Sequence, residues 1–484
     1  MSEGTLEKPV KSVAAPADAG AGLDGRPRPE PRSRPGLALA IILTCQLMLM
    51  VDATVMNVAL PRIETGLHFS PASLAWVLDA YTLTFGGLLL LGGRLGDLFG
   101  RRRLFTGGII LFTIASLAGG FATSAGFLLA ARVAQGVGAA AAGPSAIALL
   151  NSTFTDPKAR VRALSLFAGM SSAGFAIGLI LGGVLTEAAS WRWVLFINVP
   201  FGLVAAALAP RFLKQPPRHD TKLDVTGAIA ATLGVGSLVY GLIHAASNGW
   251  GQTLTVAPIA VGLALIGTFI VLQGTAQHPL LPLHLFRDRN RAAAYANYFV
   301  GPAAGFGSFF FLTQYLQDVL HYSPVRTGFA FLPMATLVFT MSRLIPRLLP
   351  RFGPKPLTIA GTVLLVVGLA GFTRVGEHTA YFPGLFVPMV VMGLGMGMAF
   401  SPLMVVIMQS VRPEDAGAAG GTMQTLQQTG VSLGIAILVT IAGSAARSHP
   451  ATALLSSEHA ALTAAAIFAA LTVLVSLTFK KVER

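Results

Sequence analysis

The chain has 484 residues, 54% of them hydrophobic and only 11% charged, with a mean hydropathy of +0.69. A soluble chain of this length carries roughly 25% charged residues, so the composition excludes an ordinary soluble domain and points to a polytopic membrane protein. The net charge of +14 falls in short clusters between apolar runs, which excludes a nucleic-acid-binding face, and the single cysteine, Cys45, excludes a disulfide framework or a thiolate metal site.

Residues 1–35 form a polar Ala/Pro/Gly/Arg stretch, expected to be a disordered cytoplasmic tail. It lacks the apolar centre of a signal peptide. Fourteen apolar runs follow, at 36–60, 72–93, 104–123, 126–150, 162–187, 194–213, 223–245, 254–274, 292–316, 327–349, 356–375, 383–408, 417–446 and 460–479. Each is near the ~20 residues a helix needs to cross the hydrocarbon layer. With the tail inside, 28 of the 34 Lys and Arg lie on inner segments. The outer loops hold only Arg62, Arg192, Arg326, Arg374 and Arg447, and Arg132 is left within a span. Both termini are therefore expected in the cytoplasm, with the chain threading the plasma membrane.

The turn after the second run reads GGRLGDLFGRRR, from Gly92 to Arg103. Gly93 and Gly96 permit close backbone approach and Gly100 a tight turn. Asp97 is the one acid among Arg94, Arg101, Arg102 and Arg103, placed to pair across the turn and latch two helix ends. An internal repeat fixes the plan. LHFSP at Leu67–Pro71 returns as LHYSP at Leu320–Pro324, an offset of 253 that also carries Arg94, Leu95, Phe99 and Gly100 onto Arg347, Leu348, Phe352 and Gly353. The copy has lost the acid, Asp97 falling on Pro350. The expected architecture is all-α: a six-helix bundle at 36–213, two inserted spans with linkers at 214–291, and a second six-helix bundle with a short cytoplasmic tail at 292–484. Bundles related in this way place a transport site between them at mid-membrane.

Ionisable groups inside spans carry the most weight, because each costs several kcal/mol in hydrocarbon. Asp52, Asp79 and Arg132 all fall in the outer half of the membrane by rise per residue. They are candidates for one polar region in which the Arg pairs with one acid and the other titrates. Asp52 is the expected proton carrier and Asp79 the milder control. The alternative is a static ion-pair network that locks the first bundle. Polar candidates for a substrate cavity are Gln46, Met50 and Asn57 on the first span, Gln135 on the fourth, Asn297 and Tyr298 on the ninth, and Gln424, Gln427 and Gln428 on the thirteenth. Hydrogen bonding between helices is the competing role for the amides. Six methionines between Met389 and Met408 suit either packing or an adaptable cavity. Glu187 and Asp318 sit at outer span ends, where an outer gate would lie; His219 and Asp220 read as loop residues.

Several stretches resemble the major facilitator superfamily. The turn is similar to its G-x-L-[AG]-D-x-x-G-[RK]-[RK] signature. LMLMVDATVMNVALP in span one, RVAQGVGAA in span four, SWRWVLFINVPFG after span five and PLLPLHLFRDR after the insertion resemble the fourteen-span drug:proton antiporter branch. One departure is Leu179, in GLILGG, where that family's antiporter motif has proline. Gly174, Gly178 and Gly182 still recur there every four residues. The resemblance implies a monomeric secondary transporter that exports small, amphiphilic or antibiotic-like molecules in exchange for protons by alternating access. Its partners are then the substrate, protons and the bilayer, with no nucleic acid, no metal and no cofactor beyond the proton gradient. A facilitator or an exporter of one endogenous metabolite is the alternative, and a channel is a further one. No H-E-x-x-H or G-x-x-x-x-G-K-[ST] motif occurs, so an enzyme or nucleotide-driven pump is not expected.

Overall fold

The computed structural model describes residues 34–216, 224–276, 279–409, 411 and 415–480. The expected disordered tail, but for 34–35, and the loop residues His219 and Asp220 lie outside the described residues. Fourteen long helices run through it: α1 (Pro35–Leu67), α2 (Trp76–Phe99), α3 (Arg101–Gly120), α4 (Ala125–Thr153), α5 (Pro157–Ala188), α6 (Trp193–Phe212), α7 (Val225–Asn248), α8 (Thr253–Thr275), α9 (Arg289–Gln314), α10 (Pro324–Phe352), α11 (Pro354–Phe372), α12 (Phe386–Gln409), α13 (Ala416–Ser448) and α14 (Ala453–Leu477). Thirteen are long and apolar enough to cross a membrane. The exception, α9, has the length, at 26 residues, but a more polar sequence. Most of α9 is buried in protein, including its last eight residues without a break, so lipid does not demand an apolar surface of it.

The backbone itself records the repeat. Among the described residues the only non-glycine positions with positive φ are His68 at 55° and His321 at 54°, each closing the helix before its LH[FY]SP turn. Gly100 at 103° and Gly353 at 76° stand in the same register. Helix pairings repeat as well. α1 packs on α4, α5 and α6 as α9 packs on α12, α13 and α14; α4 packs on α2 and α3 as α12 does on α10 and α11; and α3 on α6 as α11 on α14. The two six-helix sets meet where α2 lies against α13 and α5 against α10. α7 docks beside the α2–α13 seam, and α8 packs chiefly on α7 with its remaining surface exposed.

The α5 glycines bring helices into contact as their spacing requires. A Cβ on Gly174 would lie 2.8 Å from Met50 Cβ, and one on Gly182 would lie 3.0 Å from the Val55 backbone, so this face of α5 is set onto α1. Gly183 and Gly328 serve the other face, where α5 and α10 touch backbone to backbone. Leu179, buried between them, continues an unbroken helix where a proline would remove an N–H donor.

Candidate functional site

Arg132 on α4 is fully buried and binds in three directions. Its Nη1 meets Asp52 Oδ2 on α1 at 2.6 Å and donates to Gln135 Oε1 at 2.9 Å. Its Nε donates to the Val77 carbonyl on α2 at 2.9 Å. The guanidinium also stacks 4.5 Å above the Tyr81 ring, a cation–π contact on the same helix as Val77. Asp52 Oδ1 accepts from Gln135 Nε2 and from Asn198 Nδ2 on α6, both at 2.9 Å, and Gln135 Nε2 also donates to Ser116 Oγ on α3. One ion pair therefore ties α1, α2, α3, α4 and α6 together. Each partner is 0–1% exposed, in surroundings where a lone charge would be costly.

Asp79 is the acid left outside this pair. It lies two residues beyond the carbonyl that Arg132 holds, is fully buried, and its Oδ1 accepts from Ser432 Oγ on α13 at 2.9 Å. Its Oδ2 has no hydrogen-bond partner among the described residues. Asp52 is thus enclosed within the first six helices, whereas Asp79 bridges the two sets.

Other contacts between the sets gather at the end where α1 finishes, here termed the first-loop end. Thr313 Oγ1 donates to Asn57 Oδ1, Gln317 Nε2 to the Val58 carbonyl, and the Val325 N–H to Glu187 Oε2, at 2.7, 2.9 and 2.9 Å. Near the middle, Thr425 Oγ1 donates to the Gly86 carbonyl, and Gly86 sits against Gln428. Among the described residues no side-chain hydrogen bond joins α1–α6 to α9–α14 closer to the tail end than this one. The molecule is closed at the first-loop end. In the turn Tyr315–Val319 beyond α9, burial pushes Asp318 up to about 6, with His321 opposing.

The remaining candidates divide. Gln135 is spent on Asp52, Asn297 donates to Ser476 Oγ, and Tyr298 donates to the Phe400 carbonyl, so these three hold helices of their own half together. Asn57 joins the halves, Gln46 donates to Ser171 Oγ on α5, and Met50 packs on Gly174. Gln424, Gln427 and Gln428 are half-buried at the α13 side of the seam and make no side-chain hydrogen bond among the described residues. Met389, Met392 and Met396 are packed in the core, while Met404 faces outward.

At the signature turn Asp97 Oδ1 pairs with Arg101 Nη2 at 2.5 Å, and Arg102 donates to the carbonyls of Pro210 and Leu213 at the end of α6. Arg94 is half-buried in α2 without a salt bridge among the described residues. The close approach expected at Gly93 belongs instead to its neighbour. A Cβ on Gly92 would lie 2.0 Å from the Ala140 carbonyl oxygen, whereas one on Gly93 meets nothing nearer than Pro144 Cβ at 3.9 Å. The one-residue error turns the glycine by 100° around α2, away from α4. A Cβ on Gly96 would strike the Arg101 side chain, so that glycine makes room for the ion pair.

Sequence reasoning did not single out Asn198, Ser116, Tyr81 or Ser432. Asn198 lies inside the quoted SWRWVLFINVPFG stretch, the one amide in an apolar run, which is the signal that marked it.

Comparison with known proteins agrees with this architecture. Residues 42–435 match the model of the Major Facilitator Superfamily. The chain is 41% identical over 413 residues to the puromycin resistance protein pur8 of Streptomyces alboniger, covering 84% of this chain and 82% of that one. It is 38% identical to the cephamycin export protein CmcT of Amycolatopsis lactamdurans, over 84% and 85% of the two chains. The fold is also that of the nucleoside transporter NupG, at 13% identity and a TM-score of 0.63, over 92% of this chain and all of that one. This chain is a multi-pass membrane protein of the Major Facilitator Superfamily.

Proposed function

We propose that the protein exports small, amphiphilic or antibiotic-like molecules from the cytoplasm in exchange for protons, by alternating access, with Asp79 as the proton-carrying group. The observation that carries this reading is the Asp79–Ser432 hydrogen bond across the α2–α13 seam. Opening the first-loop end must part these helices there, breaking the bond and wetting the carboxylate. Protonation of Asp79 is then tied to which side is open, as exchange requires. Asp52 accepts three hydrogen bonds, one from a guanidinium, so both of its oxygens are already engaged within the first six helices. Its role is to hold the Val77 stretch of α2, and Asp79 with it, through Arg132. The half-buried glutamines of α13 supply adaptable contacts for substrate beside that acid.

The direction of transport and the class of substrate rest on the relatives, whose names specify resistance to puromycin and export of cephamycin. With the tail end cytoplasmic, the closed first-loop end faces outside. A single cysteine at Asn248 is then labelled only from outside and one within 287–291 only from the cytoplasm; labelling of Asn248 from the cytoplasm removes this orientation. The deciding experiment is uptake of labelled puromycin, then of a wider panel of antibiotics, into inverted vesicles with and without an imposed pH gradient. Accumulation that ignores the gradient refutes the exchange mechanism.

A further inference from the structure

The repeat assigns a counterpart to each residue of the Asp52–Arg132 network, and one counterpart is an acid. Gly174 receives Met50 as Gly434 receives Ala303, and Gly178 meets Thr54 as Leu438 meets Gly307. In that register Asn198, the sixth residue of α6, corresponds to Glu458, the sixth residue of α14. Asn198 is spent on Asp52. Glu458 is only 2% exposed, and its Oε2 has no hydrogen-bond partner among the described residues.

Among the described residues no cation is paired with it. From the turn after α9, Asp318 acts on it as a like charge, and Tyr315 turns its hydroxyl to the Gly376 carbonyl. On α14 itself His459 is bound to the Val375 carbonyl at the end of α11. At the outer end of α13, Arg447 is drawn to the Ala246 carbonyl and Ser444. No group of His, Cys, Asp and Glu among the described residues has the spacing for a metal ion. An ionised Glu458 would be an unpaired buried charge, which costs several kcal/mol. A proton is the one ligand small enough for a site of this kind.

We propose that Glu458 is a second proton-binding site of the transporter, filled from the first-loop end past Asp318, and that it extends the exchange reading above to the C-terminal half. The carboxylate takes a proton from hydronium at the wetted first-loop end, leaving a neutral acid and water. It returns the proton to water when that surface is next exposed.

The test uses the full-length protein purified into lipid, with no substrate added, and follows protonated carboxyl groups by pH-difference infrared spectroscopy. Lowering pH from about 9 to about 5, a window that brackets perturbed carboxyl groups, should raise a carbonyl band. That band should be missing from Glu458→Gln, whose side chain keeps the shape of the neutral acid, and present in Asp79→Asn. Asp318→Asn should move its midpoint to lower pH, because a neighbouring negative charge favours the protonated form. A band unchanged by Glu458→Gln, one that does not vary with pH, or a midpoint indifferent to Asp318→Asn overturns the proposal. Since no substrate is involved, failure here leaves the Asp79 reading standing, and a failure of gradient-driven export leaves the infrared result standing.

Discussion

Where the N-terminal half buries Arg132 the C-terminal half buries Met389, and where the first has Gln135 the second has Met392. The register is pinned by glycines. Gly136 sits on the Tyr81 carbonyl as Gly393 sits on that of Met334, and Gly138 meets Gly108 and Phe112 as Gly395 meets Gly361 and Leu365. Asp52 corresponds to Gly305, against which Met396 packs, and Ser116 to Leu369. The same helix crossings thus enclose an ion-pair network in one half, and in the other thioethers, leucine and the lone acid Glu458 at the place of Asn198. Close packing at these crossings depends on the small residues, which both halves keep. The buried ion pair is not needed to form the fold, so its retention in one half points to work done there. Unsymmetrical chemistry on a symmetrical frame lets one half hold an acid rigidly at the seam while the other moves against it.

The harshest way to test that contrast is to write the C-terminal chemistry into the N-terminal half. Arg132→Met alone leaves Asp52 buried without its cation, and breaking such a pair costs about 3–5 kcal/mol. Thermal melting in detergent should fall steeply, with little folded protein recovered. Adding Asp52→Ala removes the stranded charge and should restore most of the melting temperature. It should not restore export, because Val77 and Asp79 are no longer held. A double variant that exports like the parent would show the network to be scaffold only.

A smaller effect on stability, though a large one on function, is expected at Asp79. Asp79→Asn keeps an oxygen to accept from Ser432, so melting should stay within about 1 kcal/mol of the parent. Gradient-driven accumulation should fall by at least about tenfold, while energy-independent exchange across the membrane persists. Asp52→Asn should show the reverse emphasis, losing stability because Arg132 then lies buried without an anion. If Asp52→Asn melts normally and loses only its dependence on the gradient, the proton role returns to Asp52.

How far these sites were legible depended on whether distance along the chain or direction around a helix decided them. Apolar run length placed all fourteen helices, and the LHFSP and LHYSP echo gave the repeat, but the left-handed backbone of His68 and His321 within it was visible only in the structure. Depth alone put Asp52, Asp79 and Arg132 at one level, but the choice of partner depends on which way α1 and α2 turn their faces toward α4, which no single chain segment encodes. The methionines of α12 read equally as cavity or core. Only the packed helices show Met389, Met392 and Met396 inside. Glu458 was hidden for another reason. The last span read from the sequence starts at 460, because Ser456, Ser457, Glu458 and His459 interrupt the apolar run, yet α14 begins at Ala453 and carries them inward.

The mildest contrast lies at the two signature turns. Both use a glycine at positive φ, Gly100 and Gly353, so the chain reverses in the same way after α2 and after α10. Among the described residues only the first turn carries a salt bridge, the Asp97–Arg101 pair, whose side chains are 24% and 19% exposed. A pair so open to water is worth no more than about 1 kcal/mol, so Asp97→Asn should leave melting nearly unchanged. Its effect should be kinetic. The turn is moored to the end of α6 by Arg102, and the carboxylate holds Arg101 across the junction of α2 and α3 while the halves rock. Export by Asp97→Asn should slow a few-fold at equal protein level, a loss of about 1 kcal/mol in the rate-limiting step. Arg347→Gln alters an exposed residue whose turn has Pro350 in place of the acid, and should stay within about twofold of the parent. Initial rates in vesicles matched for protein amount separate the two. Equal slowing by both variants would mean that positive charge at the turn, and not the latch, is what transport requires.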